Sequence, residues 1–190
     1  IASGGPFLHR KHNELKKISF NEAINHPKWK MGYKNSIDSA TLVNKCLEVV
    51  EAKYLFDLNY SNIEVLIHPQ ALVHSIIQNN DSVSNLILFN NDMAIPISNF
   101  LNLSKYQNFI GKNYEFTPNT ELNFYKVNKN IFPIYEYFRN IDKNKPANII
   151  KFNVGNEFAV NLFKNNKIIY TDIYTIIKKV VSLNLNSRLN

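Results

Sequence analysis

Cysteine is all but missing from this 190-residue chain. Cys46 is the only one, so no internal disulfide can form and a reducing compartment is expected. No run approaches 18 apolar residues, which excludes a membrane-spanning helix on the usual length criterion. Neither a Walker phosphate loop nor a strand followed by G-x-G-x-x-G occurs, so there is no recognisable nucleotide-binding fingerprint. No Cys/His spacing suggests zinc. The first residues do not read as a secretory leader, so none is expected, and no internal repeat is seen. The chain opens Ile1-Ala2-Ser3-Gly4-Gly5 without an initiator Met, like the end of a strand entering a turn. It is expected to be a fragment of something longer.

What is present is a globular composition, 45% hydrophobic and 19% charged. That is enough for one good core or two small packed units. The net charge of +7 favours anionic partners, whether phosphorylated metabolites, nucleotides or nucleic acid. The abundance of Asn, Lys and Ile suggests that part of this charge is coding bias.

Ser19-Phe20-Asn21-Glu22 fits a capping box, which predicts a short helix over 20–25 ending before Pro27. Asp38 or Ser39 can cap a helix over about 39–55, with Leu42, Val43, Cys46, Leu47, Val49 and Val50 as its apolar side. Strands are expected at 63–67 and 84–89, and a helix after Pro96 within 93–103. Residues 104–130 read as a connector. Helices over 134–141, 155–164 behind Asn153, and 172–183 behind Thr171 would make a small helical unit.

On the 39–55 helix, Asn44, Lys45 and Glu48 fall within about 100° of one another. Two readings compete. A Lys–Glu pair at i,i+3 is usually a solvated surface pair worth a few tenths of a kcal/mol. Alternatively, Ser39 at a helix start, Lys45 as point charge and Asn44 as amide donor could hold a phosphate. Glu48 would repel that phosphate unless a Mg²⁺ or Mn²⁺ sits beside it, and one Glu cannot make such a site. His26, His74, Trp29 and Met31 are each more often structural than functional, and Cys46 lies on the apolar face as an inert core residue.

In order, the chain carries Ser3-Gly4-Gly5-Pro6-Phe7, His26-Pro27-x-Trp29-x-Met31-Gly32, Ile37-Asp38-Ser39-Ala40-Thr41-x-x-Asn44-Lys45-x-x-Glu48, and Ile67-His68-Pro69-Gln70-x-x-Val73-His74-Ser75. This succession resembles the 1-deoxy-D-xylulose 5-phosphate reductoisomerase family. Asn153-x-x-Asn156-Glu157-x-Ala159 and Thr171-Asp172-Ile173 look like its C-terminal helical domain. The resemblance spans nearly the whole chain. It implies an α+β fold: a catalytic domain over 1–103 with a mixed sheet, helices and a flap at about 26–35, the connector at 104–130, and a truncated helical domain over 131–190.

By the same resemblance, Ser3, His26, Ser39, Asn44 and Lys45 hold the substrate, chiefly its phosphate. Glu48 matches a ligand of Mg²⁺ or Mn²⁺. Trp29 and Met31 match the flap, Gly32 a position beside the NADPH nicotinamide, and His74 a second histidine of the pocket. Glu48, His26 and Lys45 would carry the chemistry, the isomerisation and reduction of 1-deoxy-D-xylulose 5-phosphate to 2-C-methyl-D-erythritol 4-phosphate in non-mevalonate isoprenoid synthesis. The family also implies a homodimer at full length, a bacterial cytoplasm or a plastid, and no nucleic-acid or membrane partner. Its NADPH-binding domain and an Asp-x-Glu pair of metal ligands precede the Ser-Gly-Gly turn and are absent here, so the fragment alone is expected to be inactive. The alternative is a non-catalytic module that binds nucleic acid or another anion through its basic surface.

Overall fold

The structure, a computed structural model, describes residues 1–26, 31–101 and 114–184. Among these it is an α+β fold of seven α-helices and four short strands. Two compact units form: residues 1–3 with 65–127, and residues 4–64 with 128–190. Each unit is therefore built from segments far apart in sequence.

The helical unit starts at Gly4 and Gly5, both in the left-handed region, with φ of 91° and 61°. Gly5 needs to be glycine for a second reason. A Cβ there would stand 3.1 Å from Ala40 Cα and 3.2 Å from Ser39 O, backbone that cannot swing aside. A 3₁₀ turn over His12–Lys17 follows. Next comes α1 (Phe20–Ile24), where Ser19 Oγ accepts from the Glu22 amide and the Glu22 carboxylate accepts from the Ser19 amide. The capping box thus forms as expected.

The helix expected over 39–55 is two helices, α2 (Tyr33–Thr41) and α3 (Val43–Phe56), broken at Leu42. Leu42 has φ 61°, ψ 13°, a left-handed conformation costing a non-glycine residue about 1–2 kcal/mol. Its side chain is fully buried, and burying a leucine returns about 1.5–3 kcal/mol. The break is thus held by packing. Neither Asp38 nor Ser39 caps a helix; both lie within α2.

The break leaves α2 with orphan carbonyls, and those of Asp38, Ser39 and Ala40 find donors. Leu42 N–H donates to Ser39 O (3.2 Å). The Thr41 hydroxyl donates to Ile37 O (2.9 Å) or Asp38 O (3.3 Å). The buried Tyr170 hydroxyl donates to Ala40 O (2.9 Å). Such accounting is what a buried helix end requires.

The second half of this unit comprises α5 (Pro133–Asn140), α6 (Pro146–Lys164) and α7 (Asp172–Ser182). α6 begins nine residues before the expected start, because Pro146 supplies a favourable first position. Asn153 is an exposed position inside it, not a cap. Gly155 lets α7 approach closely: a Cβ there would lie 3.1 Å from Val180 Cβ. Phe138, Phe152, Phe163, Ile173 and Ile177 fill the core with Ile37, Val43 and Cys46. Two lysines close helix ends. Lys143 donates to Phe138 O, Arg139 O and Ile141 O after α5, and Lys151 donates to Val181 O and Leu183 O after α7.

One polar tie runs through this core. Asp38 is 4% exposed and Asn156 fully buried, and Asn156 Nδ2 donates to Asp38 Oδ1 at 2.9 Å. Lys34, one turn back on α2, donates to the other oxygen of the Asp38 carboxylate.

The strand unit contains β1 (Leu66–Ile67), antiparallel to β4 (Tyr125–Lys126), with Ala2 bridging Ile67 in parallel. β1 is shorter than the expected 63–67, and β4 falls inside the expected connector. Buried His68 ties this corner together: Nδ1 meets Asn123 O at 2.8 Å and the ring stacks on Phe124. The hairpin of β2 (Val73–Gln78) and β3 (Ser84–Leu88) has a register shift between Val73 and Ser75, making His74 the extra residue of a bulge. α4 (Ala94–Phe100) follows and starts before Pro96, which sits in its first turn.

Two substitutions test this account. Asp38→Ala should lower unfolding free energy by about 3 kcal/mol, because it strands the Asn156 amide in the core. A shift in the urea midpoint equivalent to less than about 0.5 kcal/mol, typical of surface changes, would contradict it. Gly5→Ala should cost about 2 kcal/mol or more, from left-handed strain and contact with the α2 backbone.

Candidate active site

In the helical unit, the first two turns of α3 bring three of the sequence-predicted residues together. Asn44 Nδ2 donates to Glu48 Oε1 at 2.7 Å, and Lys45 Nζ donates to Glu48 Oε2 at 2.6 Å. The side chains of Lys45 and Glu48 are 23% and 41% exposed, so this carboxylate is clamped yet open to solvent. An ion pair this exposed contributes under about 1 kcal/mol. Incoming charges can therefore displace it at small cost.

Ser39 stands on the other side of the break, in the last turn of α2 and half-buried. The idea that its hydroxyl sits beside free amides at its own helix start does not survive, since α3 begins four residues later. Met31 (39% exposed) and Gly32 lead into α2, with Gly32 as its N-cap. His26 follows α1 and is half-buried; burial holds its imidazole below the ordinary 6.5, so the ring is neutral at pH 7. The neutral ring can donate at one nitrogen and accept at the other. Trp29, and with it residues 27–30 of the expected flap, lies outside the described residues.

Ser3 and His74 belong to the strand unit. The bulge turns the His74 ring flat against Phe89, centroids 3.7 Å apart, with Nε2 3.2 Å from Phe89 O. Cys46 is fully buried, and burial pushes its thiol well above the usual range, as expected for an inert core residue.

A hard cation would need several oxygen ligands. Among the described residues no group of three or more His, Cys, Asp or Glu is placed to hold a metal. Glu48 contributes one carboxylate that is already satisfied by Asn44 and Lys45. These residues do not by themselves make a metal centre. Sequence reasoning missed Asn156 and Tyr170, whose contacts with α2 span 118 and 130 residues. No local pattern announces contacts of that range, although Asn156 did appear within a quoted motif.

Comparisons with known proteins bear on the family of the chain. Residues 1–56 match the family model "1-deoxy-D-xylulose 5-phosphate reductoisomerase C-terminal domain", and residues 88–190 match "DXP reductoisomerase C-terminal domain". The 1-deoxy-D-xylulose 5-phosphate reductoisomerase of Clostridium botulinum (strain Alaska E43 / Type E3) is 42% identical over 181 residues, 95% of this chain and 47% of that protein. The enzyme of Pelagibacter ubique is 36% identical over 94% of this chain and 46% of its own length. The chain thus spans about half the length of the curated relatives it matches.

Among solved structures, a DOX-P reductoisomerase in complex with NADPH, fosmidomycin and magnesium superposes with a TM-score of 0.84. It is 34% identical, over 95% of this chain and 44% of that one. The Zymomonas mobilis enzyme in complex with NADPH gives 0.78 at 31% identity, over 97% and 48%. A family model covering residues 88–190, more than half the chain, together with relatives of one name across nearly all of it, places this chain in the 1-deoxy-D-xylulose 5-phosphate reductoisomerase family.

Proposed function

We propose that the chain is the catalytic and C-terminal portion of an NADP-dependent oxidoreductase that isomerises and reduces 1-deoxy-D-xylulose 5-phosphate to 2-C-methyl-D-erythritol 4-phosphate. The observation that carries this reading is the Asn44–Lys45–Glu48 constellation, standing one left-handed residue beyond the helix that bears Ser39. It places a cation, an amide donor and a carboxylate within hydrogen-bond reach in a partly open setting. A phosphorylated substrate and a divalent cation need this combination side by side. The related structures bound to NADPH, fosmidomycin and magnesium support the same cofactors here, with Mn²⁺ as an alternative ion.

In this reading Lys45 and Asn44 exchange Glu48 for phosphate oxygens, and Ser39 and Ser3 add hydroxyl donors. Neutral His26 hydrogen-bonds the substrate, His74 is a second substrate-binding histidine, and Glu48 becomes one ligand of a cation whose others lie elsewhere. Trp29 and Met31 would cover the substrate, and Gly32 would lie beside the nicotinamide. All these residues fall within 1–103, the portion we assign to catalysis, with 131–190 as the helical C-terminal portion. With a single carboxylate, the 190 residues alone should not turn over; activity belongs to the longer chain, as a homodimer in the bacterial cytoplasm or a plastid.

In the full-length enzyme, Glu48→Gln should lower kcat for Mg²⁺-dependent NADPH oxidation on the order of a thousandfold, the loss expected for about 4 kcal/mol of transition-state stabilisation. A rate within about tenfold of wild type at ordinary Mg²⁺ would overturn the assignment of Glu48. The alternative of a basic nucleic-acid module predicts binding that weakens steeply with salt. We expect a salt-titrated assay with DNA and RNA to show no such affinity.

A further inference from the structure

Three contacts converge on residues 38–40 from distant parts of the helical unit. Asn156, fully buried in α6, donates to Asp38 Oδ1. Tyr170, in the turn between α6 and α7, donates to Ala40 O. Gly5 lies against Ser39 O and Ala40 Cα so closely that a Cβ would meet them at 3.2 and 3.1 Å. Residue 39 is therefore bracketed by one buried long-range hydrogen bond on each side, with a third segment packed against its own backbone.

The two hydrogen bonds do different work. Asp38 is held through its side chain, which fixes the rotation of α2 about its axis. Ala40 is held through its carbonyl, which would have accepted from the amide of residue 44 had the helix continued. The break at Leu42 removes that donor, and Tyr170 replaces it. Burial pushes the Tyr170 phenol far above its ordinary range, so the hydroxyl remains a donor at any working pH. The Tyr170 ring is itself fixed edge-on against Phe7, 5.2 Å between centroids, and against Phe163 at 5.9 Å. Phe7 follows the Gly4-Gly5 turn, so the same ring that holds Ala40 also braces the segment packed on Ser39.

We propose that Asn156 and Tyr170 are positioning residues for Ser39: through Asp38 and the Ala40 carbonyl they hold the last turn of α2 where the Ser39 hydroxyl can meet the substrate's phosphate. This makes α6 and the α6–α7 turn part of substrate recognition by way of α2. The inference rests on the reading that Ser39 binds phosphate, and the experiment separates the two.

In the full-length enzyme, Tyr170→Phe removes one hydroxyl and keeps the ring, while Asn156→Ala removes the side-chain amide. Each should raise KM for the phosphorylated substrate and weaken binding of inorganic phosphate, measured by calorimetry, by roughly five- to tenfold, with kcat changed less than about twofold. Val181→Ala serves as the structural control. Val181 is buried in the last turn of α7, eight residues beyond Ile173 and hence about 12 Å along the helix from the Tyr170 end. It should lower Tm comparably and leave KM unchanged. If Ser39→Ala weakens phosphate binding but Tyr170→Phe and Asn156→Ala lower only Tm, the positioning role is overturned and the phosphate reading stands. If Ser39→Ala leaves phosphate binding unchanged, both fall.

Discussion

A single residue in a left-handed conformation sets the geometry of the helical unit. Leu42 stops α2 and starts α3 without a loop, and almost every other constraint near the candidate site follows from that stop. It creates four orphan carbonyls at the end of α2, which recruit Leu42 N–H, the Thr41 hydroxyl and the Tyr170 hydroxyl. It also opens a second helix N-terminus, whose first amides lack helical acceptors, beside Asn44 and Lys45. Glycine would adopt this conformation without strain. Leucine is used because its side chain, 1% exposed, fills the core beneath the junction. Packing thus stabilises a backbone state that local preference opposes.

That override explains where sequence reasoning succeeded and where it did not. The capping box at Ser19 and Glu22 is a local signal with a local mechanism, and it formed. The i, i+1, i+4 spacing of Asn44, Lys45 and Glu48 is a helical property, and it brought the three side chains together even though the helix begins later than expected. A left-handed leucine, by contrast, has no sequence signature, so the continuous helix over 39–55 was the natural expectation and the role of Ser39 as its start was misplaced. The same logic applies to α6. Asn153 looked like a cap because asparagine caps helices, but Pro146 had already started the helix, and an exposed interior asparagine costs only a fraction of a kcal/mol relative to alanine. The bulge at His74 and the ties from Asn156 and Tyr170 depend on pairing across the fold, which spacing along the chain does not encode.

Net charge was the weakest guide, for a physical reason. Several of the 22 basic residues are committed to partners within the fold. Lys143 and Lys151 donate to carbonyls at the ends of α5 and α7, where the helix dipole also favours a cation. Lys164 lies over the Tyr33 ring, 4.1 Å from its centroid. Lys34 and Lys45 are each committed to a carboxylate. These lysines answer local electrostatic needs of helices and rings and leave correspondingly less charge for an extended anion-binding stripe.

Two of the committed carboxylates show how environment assigns a role. Asp38 and Glu48 have the same partners by type, one lysine and one asparagine, at similar reach. Asp38 is buried, and its asparagine comes from another helix 118 residues away. Removing any member would leave a polar group stranded in the core, so this cluster is fixed by the cost of breaking it. Glu48 is half-exposed, and both of its partners sit on its own helix within one turn. Water or a ligand can replace them with little loss, so that cluster can exchange. A rigid carboxylate cluster in α2 and an exchangeable one in α3, joined by a single left-handed residue, let the first hold the backbone while the second changes partners. The proposed exchange of partners at Glu48 needs the second property, and the Leu42 break keeps it from being lost to the first.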